Sequence, residues 1–382
     1  MARPPDLIDD ATTEILLRLP PDDPACLVRA SLVCKAWREL LSDPAFLRRY
    51  RAFHAAPPLL GFLRNIYDDG PCARFVVAAA GASPFPAPSF DRPNWWVVEC
   101  RHGRALLQTF EQGTLAGLVV WDPITGDQRH VPVPGYPYFY LTAAVLCAAD
   151  GCDHLDCHGG PFLVVVIGTY DEVEDLTWAS IYSSETSAWT TSSSIELHAY
   201  IEERPCLLAR DALYFSVQLS ERILKYDFVG QGLQVIDAPD VFKQTGGIVV
   251  AAEDGGLGLA GLKDGNLHLW SWQAGPRGVA EWVQGRVIKL MTLLPTIKPL
   301  TLIDVIGFRE DTDTIFISTN VGVFAVMTKS GQVNKVGERG SYYAIAPYTS
   351  FYTPGTWALL LSLTSTVDTL YMFVFLFVLF KI

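Results

Sequence analysis

Five times between residues 118 and 336 this chain repeats one short phrase: an apolar strand closing on an aromatic or branched residue, a polar turn, then a second strand. Leu118-Val119-Val120-Trp121 leads into Asp122-Pro123-Ile124-Thr125-Gly126-Asp127, and Ala179-Ser180-Ile181-Tyr182 into Ser183-Ser184-Glu185-Thr186. Ile223-Leu224-Lys225-Tyr226, Leu267-His268-Leu269-Trp270 and Val323-Phe324-Ala325-Val326 follow the same plan. Runs this short, rich in β-branched and aromatic side chains and bounded by Gly, Pro, Asp and Ser, read as strands and turns.

The anchors Trp121, Tyr182, Tyr226, Trp270 and Val326 are separated by 61, 44, 44 and 56 residues. That interval suits one four-stranded propeller blade of roughly 40–50 residues. Strand-like runs at 59–63, 74–79, 95–100 and 105–109 supply at least one more blade. The fold class is therefore mainly β with a small α module at the N-terminus, residues 57–355 forming a six- or seven-bladed β-propeller. Ring closure leaves only short edges to protect, which suits an antiparallel chain of this length. Two stacked sandwiches would not account for the recurring aromatic before the turn.

Residues 1–56 follow different rules. Leu7, Ala11, Ile15 and Leu19 recur at helical spacing. Asp22-Asp23-Pro24 and Asp43-Pro44 place a capping carboxylate before a proline suited to a first helical turn. Further helices are expected around Leu27-Val28-Arg29-Ala30, over 32–41 and over 46–50. Helices this short bury little surface, so the module is marginal alone and calls for a partner.

The module resembles the F-box, the motif by which substrate receptors dock onto Skp1 in cullin-RING ubiquitin ligases. The matching text is Glu14-Ile15-Leu16-Leu17-Arg18-Leu19-Pro20-Pro21, Asp23-Pro24, Arg29-Ala30-Ser31-Leu32-Val33-Cys34-Lys35-Ala36-Trp37-Arg38 and Ser42-Asp43-Pro44-Ala45-Phe46-Leu47-Arg48-Arg49. It departs at Ile8 and Ala11, where the family usually has proline and a large apolar residue; both lie on the part that contacts Skp1 in the family. The resemblance implies Leu7, Ile8, Ile15, Leu16, Leu19, Pro20, Val33, Cys34 and Trp37 as Skp1 contacts. An F-box ahead of a propeller resembles the large plant family of F-box proteins with a β-propeller. Its echoes downstream are Trp121-Asp122-Pro123-Ile124-Thr125-Gly126, Tyr182-Ser183-Ser184-Glu185-Thr186 and Ala346-Pro347-Tyr348-Thr349-Ser350-Phe351-Tyr352.

The net charge is −12, and residues 1–56 hold eight basic and eight acidic side chains, so the acidic excess lies downstream. Without a basic stripe, a nucleic-acid surface is not expected. Eight cysteines are scattered along the chain and no secretory-type apolar run opens it, which points to thiols in a reduced cytosolic or nuclear setting. Cys34 reads as a small packed hydrophobe.

Cys147, Cys152, His154, Cys157 and His158 crowd into one short segment, and thiolates with imidazole are good zinc ligands. Their spacing matches no usual zinc pattern, so the segment reads equally as a plain connection between strands. Cys147, Cys152, Cys157 and His158 are the candidate ligands, and no cofactor is expected. No GxSxG, HExxH or P-loop occurs; Asp254-Gly255-Gly256-Leu257-Gly258 reads as a turn. Tyr136, Tyr138, Phe139 and Tyr140 are candidates for a partner-touching loop, and 82–93 is a second loop candidate.

Residues 356–382 form a hydrophobic tail, in which 357–380 is long enough to span a bilayer of about 20 residues' reach. Asp368 sits near its middle and costs about 2.5–3.5 kcal/mol there. The tail is read as a possible membrane anchor, a divergent terminus or a segment docked on the propeller. The expected function is a non-enzymatic adaptor: Skp1 and cullin components at the F-box, an unidentified target protein on the propeller. Two rivals stand beside it, a Skp1-independent scaffold and a propeller enzyme working in the channel.

Overall fold

The computed structural model describes residues 9–67, 70–78, 91–135, 138, 140–170, 176–218, 221–242, 246–275, 279–294 and 303–351. Four helices come first: α1 (Asp9–Leu17), α2 (Pro24–Val33), α3 (Lys35–Ser42) and α4 (Pro44–His54). At α4 the cap works as expected, Asp43 Oδ1 accepting from the Ala45 N–H at 3.0 Å. Asp23 makes no such cap; its carboxylate accepts from the Cys26 thiol at 3.1 Å. The boundary between the second and third helices also differs from expectation. Cys34 adopts extended backbone, breaks the run, and its exposed sulfur accepts from the Trp37 N–H at 3.5 Å. Leu32 and Val33 therefore end α2, and Cys34 is a cap instead of a packed hydrophobe.

Among the described residues, twenty-four strands form six sheets of four, so the ring has six blades. The first combines β1 (Leu59–Tyr67), β2 (Pro71–Val77) and β3 (Asp91–Pro93) with β24 (Ile345–Thr349). The second runs through β4 (Trp95–Arg101), β5 (Arg104–Glu111), β6 (Thr114–Trp121) and β7 (Gln128–Val131). The third holds β8 (Tyr140–Cys147), β9 (Phe162–Tyr170), β10 (Leu176–Ser183) and β11 (Ala188–Glu196). The fourth holds β12 (Leu207–Ala209), β13 (Ala212–Val217), β14 (Arg222–Asp227) and β15 (Gly232–Asp237). The fifth holds β16 (Ile248–Ala251), β17 (Leu257–Lys263), β18 (Asn266–Ala274) and β19 (Ala280–Ile288), followed by the single turn α5 (Leu290–Leu293). The last holds β20 (Asp304–Arg309), β21 (Thr314–Thr319), β22 (Gly322–Met327) and β23 (Val333–Gly337). Strand-like text at 59–109 thus divides between two blades, because β24 takes the innermost place beside β1.

Each pair of neighbouring blades shares one apolar core, and the six cores close the circle. Leu63, Phe75, Leu107 and Trp121 meet between the first and second blades; Phe62, Phe316, Val323 and Ile345 meet between the last and the first. The repeated phrase has a physical reading in these terms. Trp121 and Tyr226 are buried at the ends of third strands. The aspartate that follows each folds the turn: Asp122 Oδ1 accepts from Ile124 and Thr125 N–H groups at 2.9 and 3.2 Å, and Asp227 Oδ1 from Val229 and Gly230 at 3.0 and 2.9 Å. Two-residue hairpins elsewhere use His102-Gly103, Gln112-Gly113 and Asp264-Gly265, both positions of each at positive φ as the strand twist requires.

Gly168 on β9 faces Trp178 on β10, and a Cβ at Gly168 would lie 2.3 Å from Cζ2 of that ring. Gly168→Ala is expected to lower stability by about 1–3 kcal/mol through overpacking. Urea unfolding of the two proteins measures it; an unchanged midpoint would mean that the indole can move aside.

Candidate functional site

The helical module has a core of its own that it does not complete alone. Leu16, Leu17, Leu27, Leu41, Phe46, Leu47 and Tyr50 pack together, and Phe351, just beyond β24, joins them fully buried. The Phe351 ring meets Tyr50 edge-on at 6.1 Å. Leu155, from the β8–β9 connection, packs against the same cluster. The Tyr50 hydroxyl donates to the Leu19 carbonyl at 2.9 Å, and burial pushes its pKa up.

Outside this core several large apolar side chains stay on the surface among charged ones. Ile15 is 51% exposed, Leu32 58%, Val33 62% and Phe53 53%. Of the residues expected as contacts, Ile15, Pro20, Val33 and Cys34 lie on the surface, and Leu19 and Trp37 are half-buried at the core's edge. Leu16 is only 1% exposed and belongs to the core, so it supports the surface instead of forming it. Leu7 and Ile8 lie outside the described residues. Leu32 and Phe53 also belong to this exposed apolar surface, although the resemblance does not name them. Leu32 was recoverable: Leu27, Ala30 and Ser31 take the inward face of α2, which turns the next residues outward.

Residues 55–58 join α4 to β1, with Pro57 and Pro58 stiffening the link and Arg309 donating to the Pro57 carbonyl. Arg51 on α4 reaches across to Asp156 at 2.6 Å. The β8–β9 connection carrying Asp156 is held from the propeller side as well. Arg104 donates to the carbonyls of Cys157 and Gly160. His158 Nδ1 meets Asp122 Oδ2 at 2.5 Å, and its Nε2 meets Ser350 Oγ at 3.1 Å. His158, a candidate ligand by sequence, is thus engaged elsewhere.

The remaining candidates converge. The ligand atoms of Cys147, Cys152, His154 and Cys157 all lie within 4.8 Å of one another. Cys152 and Cys157 sulfurs are 3.6 Å apart, and Cys157 Sγ is 3.8 Å from His154 Nδ1. The His102 ring stacks on His154 at 4.0 Å. Burial first, then Arg101, His154 and Arg104, pushes the His102 pKa down to about 3.

The innermost strands surround an axis occupied by charge. Arg101 on β4 is bonded to Glu99 at 3.1 Å and to both oxygens of Glu310 at 2.9 and 2.8 Å, and it donates to the Cys206 carbonyl at 3.0 Å. Glu99, 1% exposed, also accepts from the Val145 N–H of β8. Burial opposes the Arg101 charge, but Glu310 and Glu99 outweigh it and hold the pKa well above its usual value. Above this network lies a cavity of about 340 Å³, lined among others by Arg101, His154, His158, Glu310 and Ser350.

Because connections within an antiparallel blade alternate ends, the helices and the β8–β9 connection share one end of the ring. The opposite end carries the connections between blades. There Tyr140, 43% exposed, leans on Tyr200 at 5.7 Å, and Arg204 lies over the Tyr343 ring at 4.2 Å while pairing with Glu202 at 3.0 Å. Tyr138 is half-buried in an inter-blade core; Tyr136 and Phe139 lie outside the described residues, as does most of 82–93. Among the described residues no helix is long and apolar enough to cross a membrane. The segment 357–380 lies outside them.

A family model described as "F-box protein AT5G49610-like, beta-propeller" matches residues 96–355, and an F-box domain model matches residues 5–49. A protein of Arabidopsis thaliana described as an F-box protein, At3g16210, is 27% identical over 197 residues, 50% of this chain and 47% of its own length. The chain therefore spans about half the length of the curated relative it matches. Two solved structures align at low similarity. The Pseudomonas aeruginosa periplasmic gluconolactonase PpgL is 13% identical with a TM-score of 0.42, over 74% of this chain and 83% of its own. Kluyveromyces lactis Hsv2 is 13% identical with a TM-score of 0.39, over 64% and 65%. Likeness at this level carries no argument about activity.

Two outcomes follow from the joint between helices and ring. Phe351→Ala should cost about 3–5 kcal/mol at this site, read as faster amide exchange across α1–α4 than across the blades; equal loosening everywhere would contradict a local role. The Asp122 carboxyl is opposed by burial, but hydrogen bonds from His158 and two backbone N–H groups bring it below its usual 3.8. A folded value below the unfolded one gives stability that is present above about pH 4 and lost as pH falls through the lower folded value. Asp122→Asn should therefore flatten the acid limb of the stability profile, read as the midpoint of urea unfolding followed against pH.

Proposed function

This chain belongs to the F-box proteins with an AT5G49610-like β-propeller, and from that membership we propose that it is a substrate receptor of an SCF (Skp1–cullin–F-box) ubiquitin ligase. The helices would dock on a Skp1-like protein, and the propeller would hold a target protein. The observation that carries the reading is the division of apolar side chains within the helical module. Its core is finished internally by Phe351 and Leu155, yet Ile15, Leu32 and Val33 stay exposed. Side chains of this size each gain roughly 1.5–3 kcal/mol on full burial, and nothing among the described residues covers them.

The opposite end of the ring suits the target. Its longer inter-blade connections present Tyr140, Tyr200, Tyr343 and Arg204, residue types that anchor protein interfaces. In this reading the chain performs no covalent step; ubiquitin transfer belongs to the other ligase components, and the working compartment is the cytosol or nucleus.

A second reading, a propeller hydrolase, has one observation in its favour: the ordered chain Asp122, His158, Ser350. Geometry of this order activates serine nucleophiles elsewhere. Against it, Ser350 is only 5% exposed, although it borders the cavity beside the charged axis. The adaptor reading accounts for the same chain as a clasp between the closing strand and the β8–β9 connection.

Replacing Ile15 and Val33 together by aspartate should weaken capture by a Skp1-like protein by at least about a hundredfold, or about 2.7 kcal/mol. The thermal midpoint should stay near that of the parent, since both side chains point to solvent. Undiminished capture, or no capture by the parent chain where another F-box protein binds, would remove the proposal. Labelling of Ser350 by a fluorophosphonate would instead favour the hydrolase.

A further inference from the structure

The four side chains gathered at the end of β8 and in the β8–β9 connection come close to the spacing of a metal shell. In a tetrahedron of thiolates and imidazole around zinc, with Zn–S about 2.3 Å and Zn–N about 2.0–2.1 Å, sulfurs stand about 3.8 Å apart and sulfur stands about 3.6 Å from nitrogen. The corresponding separations are 3.6 Å for Cys152–Cys157 and 3.8 Å for Cys157–His154, and all four donors fall within 4.8 Å. A disulfide requires about 2.05 Å between sulfurs, and the three cysteines of this cluster are free thiols. Burial does not explain the gathering, because His154 is exposed and Cys147 and Cys152 only half-buried.

We propose that Cys147, Cys152, His154 and Cys157 bind one structural zinc ion, which fixes the connection that seats the helical module on the ring. Three thiolates and an imidazole are soft to borderline donors, which excludes calcium and magnesium and favours zinc among the available divalent ions. Four protein ligands leave no open position for water, so the ion is structural, not catalytic. The backbone is arranged for it. Cys147 ends a strand, Ala148 closes the base of the loop on the Pro161 carbonyl at 3.0 Å, and Gly151 and His154 at positive φ fold the chain back. The His154 N–H donates to Cys152 Sγ at 3.4 Å, and stacking on His102 orients the His154 ring.

The site's place in the molecule gives it a consequence. Between His154 and Cys157 lie Leu155, packed in the helical core, and Asp156, paired with Arg51. Zinc would hold both at once, and so set the angle between the helices and the propeller. The site rests on propeller residues alone and does not depend on the ligase reading.

The test uses the full chain purified under reducing conditions without chelator. Elemental analysis should find about one zinc per chain, and exchange into cobalt should give the intense visible bands and thiolate charge-transfer absorption of a tetrahedral sulfur-rich site. Cys152→Ser with Cys157→Ser should lose the metal, while His158→Ala should keep it. Should the double variant fail to fold, the cobalt spectrum of the parent chain decides alone. Substoichiometric metal after zinc reconstitution, an octahedral cobalt spectrum, or a Cys152–Cys157 disulfide in the reduced protein's peptide map would overturn the site. Stripping the metal should speed amide exchange over 153–158 and α4; unchanged exchange there after complete removal would overturn its role at the joint.

Discussion

The pairing of β24 with β1 is the contact on which the remaining architecture depends. Leu59, Gly61, Phe62, Leu63 and Arg64 on one strand face Thr349, Tyr348, Pro347, Ala346 and Ile345 on the other, joining the end of the described chain to the first strand after the helices. Without that ladder the first blade lacks its innermost strand, the core between the last and first blades has one wall missing, and β1 becomes an open edge. The same ladder delivers Ser350 to His158 and Phe351 to the helical core. Closing the ring and seating the helices are therefore one event, driven by apolar burial and fixed by hydrogen bonds.

The charged axis contributes differently. Arg101 and Glu99 of one blade meet Glu310 from another, and further donors reach both carboxylates, the Val145 N–H and the Cys206 thiol for Glu99 and the Leu208 N–H for Glu310. Buried ionic groups gain little over apolar packing of equal volume but penalise arrangements that break them. Such a hub opposes slippage of one inner strand past another, a hazard in a ring whose blades differ mainly in loop length.

Much of this was legible in the sequence, for identifiable reasons. Aromatic-then-aspartate phrases announce a third strand and its turn because both halves, blade wedge and turn cap, are local. Ring closure has no local sign: β24 and β1 are remote in sequence, so the sequence leaves blade number open between six and seven and the strands of 59–109 as at least one blade. In α1 the run Ile15-Leu16-Leu17 is apolar throughout, and only the neighbours Leu27, Leu47 and Tyr50 decide that Leu16 faces inward and Ile15 outward. Spacing puts both His154 and His158 near the thiols, and the sequence reading names His158 as the ligand where the structure brings His154. The distinction comes from Asp122, whose carboxylate captures His158 from a different blade, and from the positive φ of His154 that turns its ring toward the thiols.

Phe351 has a consequence in time. The helices it completes leave the ribosome ahead of it, by a span of chain that takes about 15–60 s to make at 5–20 residues per second. During that interval the leading helices lack a wall, however well the early blades have formed. A chain cut short before this phenylalanine keeps its helices but leaves their shared core one wall short, whatever those helices later bind.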